Sequence, residues 1–164
     1  MKIYNNLGQL LLDKKTNSLK GADLKDVCLL YAKLKYVNLE SANLENAYLY
    51  RADLRDTNLK GANLEDANLY LAELESANLK GANLSGANLE GADLKDANLE
   101  DANLEDANLK NADLMRANLR GANLRSANLR GAKLCYCKTK KNTFEGAVLC
   151  KKNKSLVKKS YPDK

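Results

Sequence analysis

Histidine and tryptophan are absent from this 164-residue chain, which has one phenylalanine and one proline. Without histidine, the commonest general base and metal ligand is missing. No glycine-rich phosphate loop, GxSxG turn or metal-ligand spacing appears either. These absences argue against an enzyme and against a cofactor or bound metal. Long apolar runs are lacking as well. The longest near the start is Leu10-Leu11-Leu12, too short for a secretory signal or a membrane span, so the expected location is the cytoplasm. Four cysteines do not make a disulfide framework at this length. Cys135-Tyr136-Cys137 is CxC rather than CxxC and has no second pair nearby, which favours free thiols over structural zinc.

What the chain does have is periodicity. Leucine occupies every fifth position from Leu19 to Leu134, twenty-four times without a miss, inside the phrase Ala-(Asn/Asp)-Leu-X-X. Five residues of α-helix turn through about 500°, so successive leucines would drift by about 140° and mark no face. In a flat strand an odd spacing throws alternate leucines to opposite faces. A path that turns a corner once per repeat keeps all of them inside. Ala and Leu, two apart, then point inward from a short extended side, and the Asn or Asp between them points out. The last two residues make the corner, and the final one is often Gly, Asp, Asn or Ser (Gly61, Asp66, Asn111, Ser126), as turns favour. Such a chain is a solenoid whose coils hydrogen-bond to their neighbours.

The number of sides follows from what recurs at twenty residues. Asp53, Glu73, Asp93 and Asp113 replace the middle Asn at steps of twenty, and Tyr50 and Tyr70 share a column with Leu30. Four repeats per coil satisfy both patterns, and three do not. In this register Cys28, Cys135 and Cys150 face outward and Cys137 inward. About seven such coils over residues 19–149 make a rod roughly 30 Å long at one strand spacing per coil.

The motif A(D/N)LXX, running over roughly residues 17–149, resembles that of the pentapeptide repeat proteins. The resemblance implies an all-β fold, the right-handed quadrilateral parallel β-helix, with Leu and Ala inward at the positions already derived. It implies no single function, since known functions within the family diverge.

Open solenoid ends expose core and unpaired backbone, so they need caps. Residues 1–18 fall outside the repeat and are expected to cap the first coil. Asn6, with Gln9 three residues on, reads as a capping box for a short helix presenting Leu7, Leu10 and Leu11. A strand over Met1–Asn5 is the alternative. At the other end the rhythm fails at Thr139 and recovers at Phe144 and Leu149, so Phe144, Val148 and Leu149 are expected to plug the last coil. Residues 150–164 read as a loose basic tail, with Leu156, Val157 or Tyr161 as docking points.

Function has to be sought in what varies between leucines. The net charge of +6 hides a segregation: residues 40–109 hold 15 acids and 5 bases, residues 110–164 hold 3 acids and 15 bases. The column Asp53, Glu73, Asp93, Asp113 stacks like charges about one strand spacing apart, which is normally destabilising. Arg51, Arg55 and Lys95 are candidates to offset it, and a cation bound along the column is the less favoured alternative. On another side, outward positions bring together Leu30, Tyr31, Tyr48, Tyr50, Tyr70 and Leu71, while the next repeat there, Ala87 to Gly91, is polar. A contiguous exposed apolar patch rich in Tyr usually marks an interface; the competing readings are that the N-terminal segment folds over it or that the tyrosines form a self-stabilising ladder.

Two readings follow. The first is a non-enzymatic rod-like scaffold whose tyrosine patch meets a protein partner of unknown identity or a second copy as a homodimer. The second is what the resemblance implies: some pentapeptide repeat proteins that confer quinolone resistance mimic a DNA duplex and bind DNA gyrase or topoisomerase IV. The stretch 40–109, with Asp53–Asp113 at its centre, would play that part. The chain departs from that pattern in its positive net charge, its lack of inserted loops and its lack of a long C-terminal dimerisation segment. Direct nucleic-acid or membrane binding is disfavoured, because Arg116, Arg120, Arg125 and Arg130 encircle the rod instead of lining one face.

Overall fold

The computed structural model describes residues 2–5, 7–13, 18–140 and 143–149. Every parallel bridge of the solenoid joins residues twenty apart, from Asp23–Asn43 to Asn118–Lys138, so the coil has four sides. The four columns start at Asp23, Cys28, Lys33 and Asn38. Three hold six rungs, and the column through Cys28 holds a seventh where Asn128–Leu129 pairs in parallel with Val148–Leu149. Those two segments are strands β3 and β4, and an N-terminal hairpin supplies β1 (Lys2–Tyr4) and β2 (Leu10–Asp13). Elsewhere a side contributes a single bridge, because three extended residues leave room for one ladder pair before the next corner.

The repeat finds an acceptor for each of its five backbone N–H groups, as a partly buried backbone must. In the repeat 63–67, Asn63 donates to Ala42 of the coil before and Leu64 to Asn83 of the coil after, at 2.9 and 2.7 Å. Asp66 donates to Ser85 at 2.9 Å, and Ala67 closes a turn onto Leu64 at 3.1 Å. The fifth N–H, that of Glu65, is taken by the Asn63 side chain at 3.3 Å. This explains the Asn or Asp between Ala and Leu: its short carbonyl reaches the amide two residues on. Asn then offers its Nδ2 to the coil before, as Asn83 does to Asn63 at 3.0 Å, and Asp cannot.

All twenty-four leucines of the run are buried, with Ala filling the space beside them. Two inward positions of one column carry polar groups instead. Thr57 Oγ1 and Cys137 Sγ donate to the Leu34 and Leu114 carbonyls, each at 2.9 Å. Burial pushes the Cys137 thiol up to about 12, so it stays protonated. Cys28 and Cys135 face outward as free thiols, and Cys150 lies outside the described residues.

Both ends differ from expectation. The N-terminal cap is a hairpin, not a helix: β1 and β2 pair antiparallel, with Ile3 opposite Leu12. Asn5, and not Asn6, organises its turn, its Oδ1 accepting from Leu7 and Gln9 at 3.0 and 2.9 Å. Gly8, at φ 79°, completes that turn. The physical reason lies in the first coil, whose edge presents unpaired backbone that a helix cannot satisfy. The hairpin does so: Lys33 donates to Tyr4 at 2.8 Å, and Asn5 bridges Ala32. Ile3 plugs the core at 2% exposure, whereas Leu7 and Leu10 stand in solvent at 79% and 49%. Asn6 lies outside the described residues. At the C-terminal end Phe144 and Leu149 pack partly buried against the core. Val148 does not plug it; it takes the outward middle position, paired with Asn128, and is exposed. The tail 150–164, with Leu156, Val157 and Tyr161, lies outside the described residues. Among those described, no helix is long and apolar enough to cross a membrane.

Candidate functional site

The tyrosine patch and the acidic column occupy adjacent sides, meeting at the corner that carries Tyr31, Arg51 and Leu71. On the first side the Tyr50 and Tyr70 rings stack at 5.7 Å between centroids and 12° between planes. Tyr31 meets Tyr50 edge-on at 5.2 Å and 83°. Its hydrogen bond to Tyr50 holds the Tyr31 phenol above the ordinary value. The Arg51 guanidinium lies over the Tyr50 ring at 5.5 Å. Tyr48 stands free at 52% exposure, while Leu30, Tyr31, Tyr50 and Leu71 are half-buried. The six residues are therefore together, with Arg51 as a seventh member and not a counter-ion of the acidic column.

This patch departs from the repeat's own chemistry in two ways. The final residue of every repeat from Gly21 to Tyr136 has a left-handed backbone, which is why Gly, Asp, Asn and Ser recur there. Tyr31, Arg51 and Leu71 hold the same conformation at φ 56°, 51° and 56°. A large side chain in that region costs about 1–2 kcal/mol. In addition, Cys28 and Tyr48 stand where an Asn or Asp should accept the amide two residues on. The Leu30 and Tyr50 N–H groups accordingly have no protein acceptor among the described residues, whereas Asn68 still serves Tyr70 at 3.1 Å. The corner strain is legible in the sequence as a bulky residue at a position that otherwise takes Gly, Asp, Asn or Ser. Leu71 has a local use too: its side chain lies over the next corner of its column, where Cδ2 would sit 2.6 Å from a Cβ placed on Gly91.

The acidic column is a neutralised stack rather than a row of bare charges. Arg55 bridges Asp53 and Glu73 at 2.7 and 3.1 Å. Lys95 bridges Asp93 and Asp113 at 2.7 and 3.6 Å, and Lys133 closes the end on Asp113 at 2.9 Å. The Arg55 bond holds the Asp53 carboxyl below the usual carboxylate range. Burial pushes Asp113 up, but its bond to Lys133, the Met115 amide and the Lys95 charge together outweigh that, and it too sits low. Among the described residues no cluster of three or more acids or cysteines is arranged to hold a metal. Acids without an ion pair among the described residues include Glu65, Asp66, Glu105 and Asp106 in the repeats stacked above Asp23, Glu75 beside the acidic column and Asp101 on a third side.

The pentapeptide repeat family model matches in eight copies over residues 32–69, 72–111 and 97–134. The chain belongs to the pentapeptide repeat family. Members of this family fold as right-handed quadrilateral β-helices, in agreement with the four columns. Among solved structures it is similar to HetL, a pentapeptide repeat protein involved in heterocyst differentiation regulation from the cyanobacterium Nostoc sp. strain PCC 7120. The two are 33% identical over 79% of this chain and 66% of HetL, with a TM-score of 0.50. A pentapeptide repeat protein of the cyanobacterium Cyanothece is likewise 33% identical over 79% of this chain and 89% of its own, at TM-score 0.32. QnrB1, a plasmid-mediated fluoroquinolone resistance protein, is 17% identical over 87% of this chain and 82% of its own, at TM-score 0.48. A search of curated proteins finds no match.

Proposed function

We propose that this protein is a non-enzymatic scaffold for protein–protein interaction, and that its contact surface is the corner of Leu30, Tyr31, Tyr48, Tyr50, Arg51, Tyr70 and Leu71. The observation that carries this reading is strain. Three consecutive coils place large side chains at left-handed corners beside the tyrosine stack, where Gly, Asn or Asp would hold the fold more cheaply. Such a cost is retained where the side chain serves something other than folding. Stacked tyrosines suit an interface, because they offer large area with little rotamer entropy to lose, and Arg is enriched at such centres. The likeness to HetL, a protein involved in regulation, agrees with a role exercised by contact. Tyr50→Glu/Tyr70→Glu is expected to abolish partner capture, or self-association measured by sedimentation, while the fold persists. Unchanged mass together with unchanged capture removes the corner from consideration.

The alternative, a DNA-mimicking modulator of DNA gyrase or topoisomerase IV centred on Asp53, Glu73, Asp93 and Asp113, has less to support it, because these carboxylates are paired within the rod. Such a protein would draw first on Glu65, Asp66, Glu75, Asp101, Glu105 and Asp106, which have no ion pair among the described residues. Purified gyrase decides this: no inhibition of supercoiling and no protection from a quinolone at micromolar protein sinks the alternative.

A further inference from the structure

One rung of the solenoid is missing, and the groups it should pair are in place. On the side through Asp23 the ladder runs to Asn123 and stops. One coil earlier, Leu104 donates to Asn123 at 2.7 Å and Ala102 accepts from Asn123 at 3.0 Å. Their counterparts in the last coil are the Leu124 N–H and the Ala122 carbonyl, which should meet residue 143. The chain leaves the wall after Lys138, where Leu was due at Thr139. Thr143 then turns back on Lys140 instead: its amide donates to the Lys140 carbonyl at 3.3 Å, and its Oγ1 accepts from the Lys140 amide at 2.9 Å. The ladder resumes only at Ser126–Gly146, 3.1 Å, one residue out of step with every corner before it.

In the gap lies a cavity of about 400 Å³, lined by Ala122, Asn123, Leu124, Arg125, Thr143 and Glu145 with Gly146. Leu124 is 1% exposed and Ala122 7%, yet the Leu124 N–H and the Ala122 carbonyl have no partner among the described residues. Buried backbone groups are almost always paired. An N–H and a C=O two residues apart on one edge are the template for a parallel strand.

We propose that this open rung binds an extended acidic peptide segment of another protein, which adds as one parallel strand to the Ala122–Leu124 edge. Its central residue would accept from Leu124 and donate to Ala122, as Asn123 does one coil earlier. The acidic preference follows from the rim. Arg125 lines the cavity, with Glu145 the single opposing charge among the lining residues. The Lys140 backbone is bonded to the lining Thr143, and the chain on either side of the gap is basic at Arg120, Lys138 and Lys140. Arg120 and Arg125 have no ion pair among the described residues. A second copy is disfavoured as the donor. Its own edge strand β2 runs directly into Lys14 and Lys15, which the rim repels.

The test uses the full chain and a fluorescein-labelled peptide alternating valine and glutamate, with one alternating valine and lysine as control. Amide exchange of Leu124 and Leu104 is followed by NMR in the same samples. Leu124 is expected to exchange far faster than Leu104 in the free protein and to become protected with the glutamate peptide. The lysine peptide does neither, and Arg125→Glu weakens binding by about tenfold or more at low salt. Equal protection of Leu124 and Leu104 in the free protein would show the rung already filled by this chain and overturn the proposal. So would binding that leaves Leu124 unprotected, no binding, or protection that rises with protein concentration alone.

Discussion

The side that carries Tyr48, Tyr50 and Tyr70 and the side that carries Asp53, Glu73, Asp93 and Asp113 are built on one rule and have opposite outcomes. In the acidic column every departure from Asn is answered within two coils, by Arg55, Lys95 or Lys133. Bulky left-handed corners and amides without a side-chain acceptor among the described residues occur on both sides, as at Tyr36, Arg116 and Tyr136 and at the Lys35 and Glu75 amides of the acidic one. Particular to the tyrosine corner is that Tyr31, Arg51 and Leu71 follow one another in consecutive coils beside stacked rings. The carboxylates of the first column are paired within the rod. The second is preorganised by ring stacking and is the surface proposed to meet a partner. A repeat surface is therefore better read by what compensates each anomaly than by where anomalies occur.

That comparison can be broken beneath the surface first. Leu49→Ala lies under the tyrosines and Leu54→Ala under the acids, and both leucines are fully buried. Each is expected to cost about 2–5 kcal/mol in denaturant unfolding, and by similar amounts. A difference well beyond experimental error would mean that the tyrosine corner is part of the packing, and the contrast would lose its basis.

The strain itself gives a smaller and opposite effect. Tyr136→Gly relieves a left-handed corner at an 85% exposed residue outside the patch and is expected to stabilise the rod by about 1 kcal/mol. Arg51→Gly should give less, because it also removes the contact with Tyr50, worth roughly 0.5–1 kcal/mol at an exposed site. Loss of stability in both would contradict the idea that these corners are costly.

Charge gives the smallest effects. Asp113→Asn replaces a paired carboxylate by the residue that the column otherwise prefers, so a change under about 1 kcal/mol is expected. Lys95→Ala leaves both Asp93 and Asp113 with one cation fewer and should cost more than Asp113→Asn. Because Asp53, Glu90, Asp96, Glu100 and Asp113 all sit below their ordinary values, their stabilisation is complete above the unfolded range near pH 4. It is lost as pH falls through their lower folded values. The melting temperature should therefore drop on acidification below about pH 4, and less steeply in an Asp53→Asn/Asp113→Asn variant.

Much of the fold was legible in the sequence because Leu and Ala obey one geometric rule, and a miss at any repeat would show. The grouping of Leu30, Tyr31, Tyr48, Tyr50, Tyr70 and Leu71 followed from the same count of twenty. What did not follow were the choices made by side-chain reach. Arg51 sits one corner from the acids and could have turned either way; it lies over Tyr50. Asn5 rather than Asn6 makes the N-terminal turn, a difference of one residue that decides between hairpin and helix. Thr139 signalled a broken rhythm but not that the wall would reopen at Leu124. Periodicity states where the chain should be, and only coordinates show which hydrogen bonds are left over.

The most direct test of the central claim is partner capture from the native host by three purified forms of the protein. These are the wild type, Tyr50→Glu/Tyr70→Glu, and Asp93→Asn/Asp113→Asn, each first shown to be folded by its melting transition. The open-corner account predicts that polypeptides retained by the wild type are lost from the tyrosine variant and kept by the aspartate variant. Equal retention by the wild type and the tyrosine variant, or loss only from the aspartate variant, would contradict it.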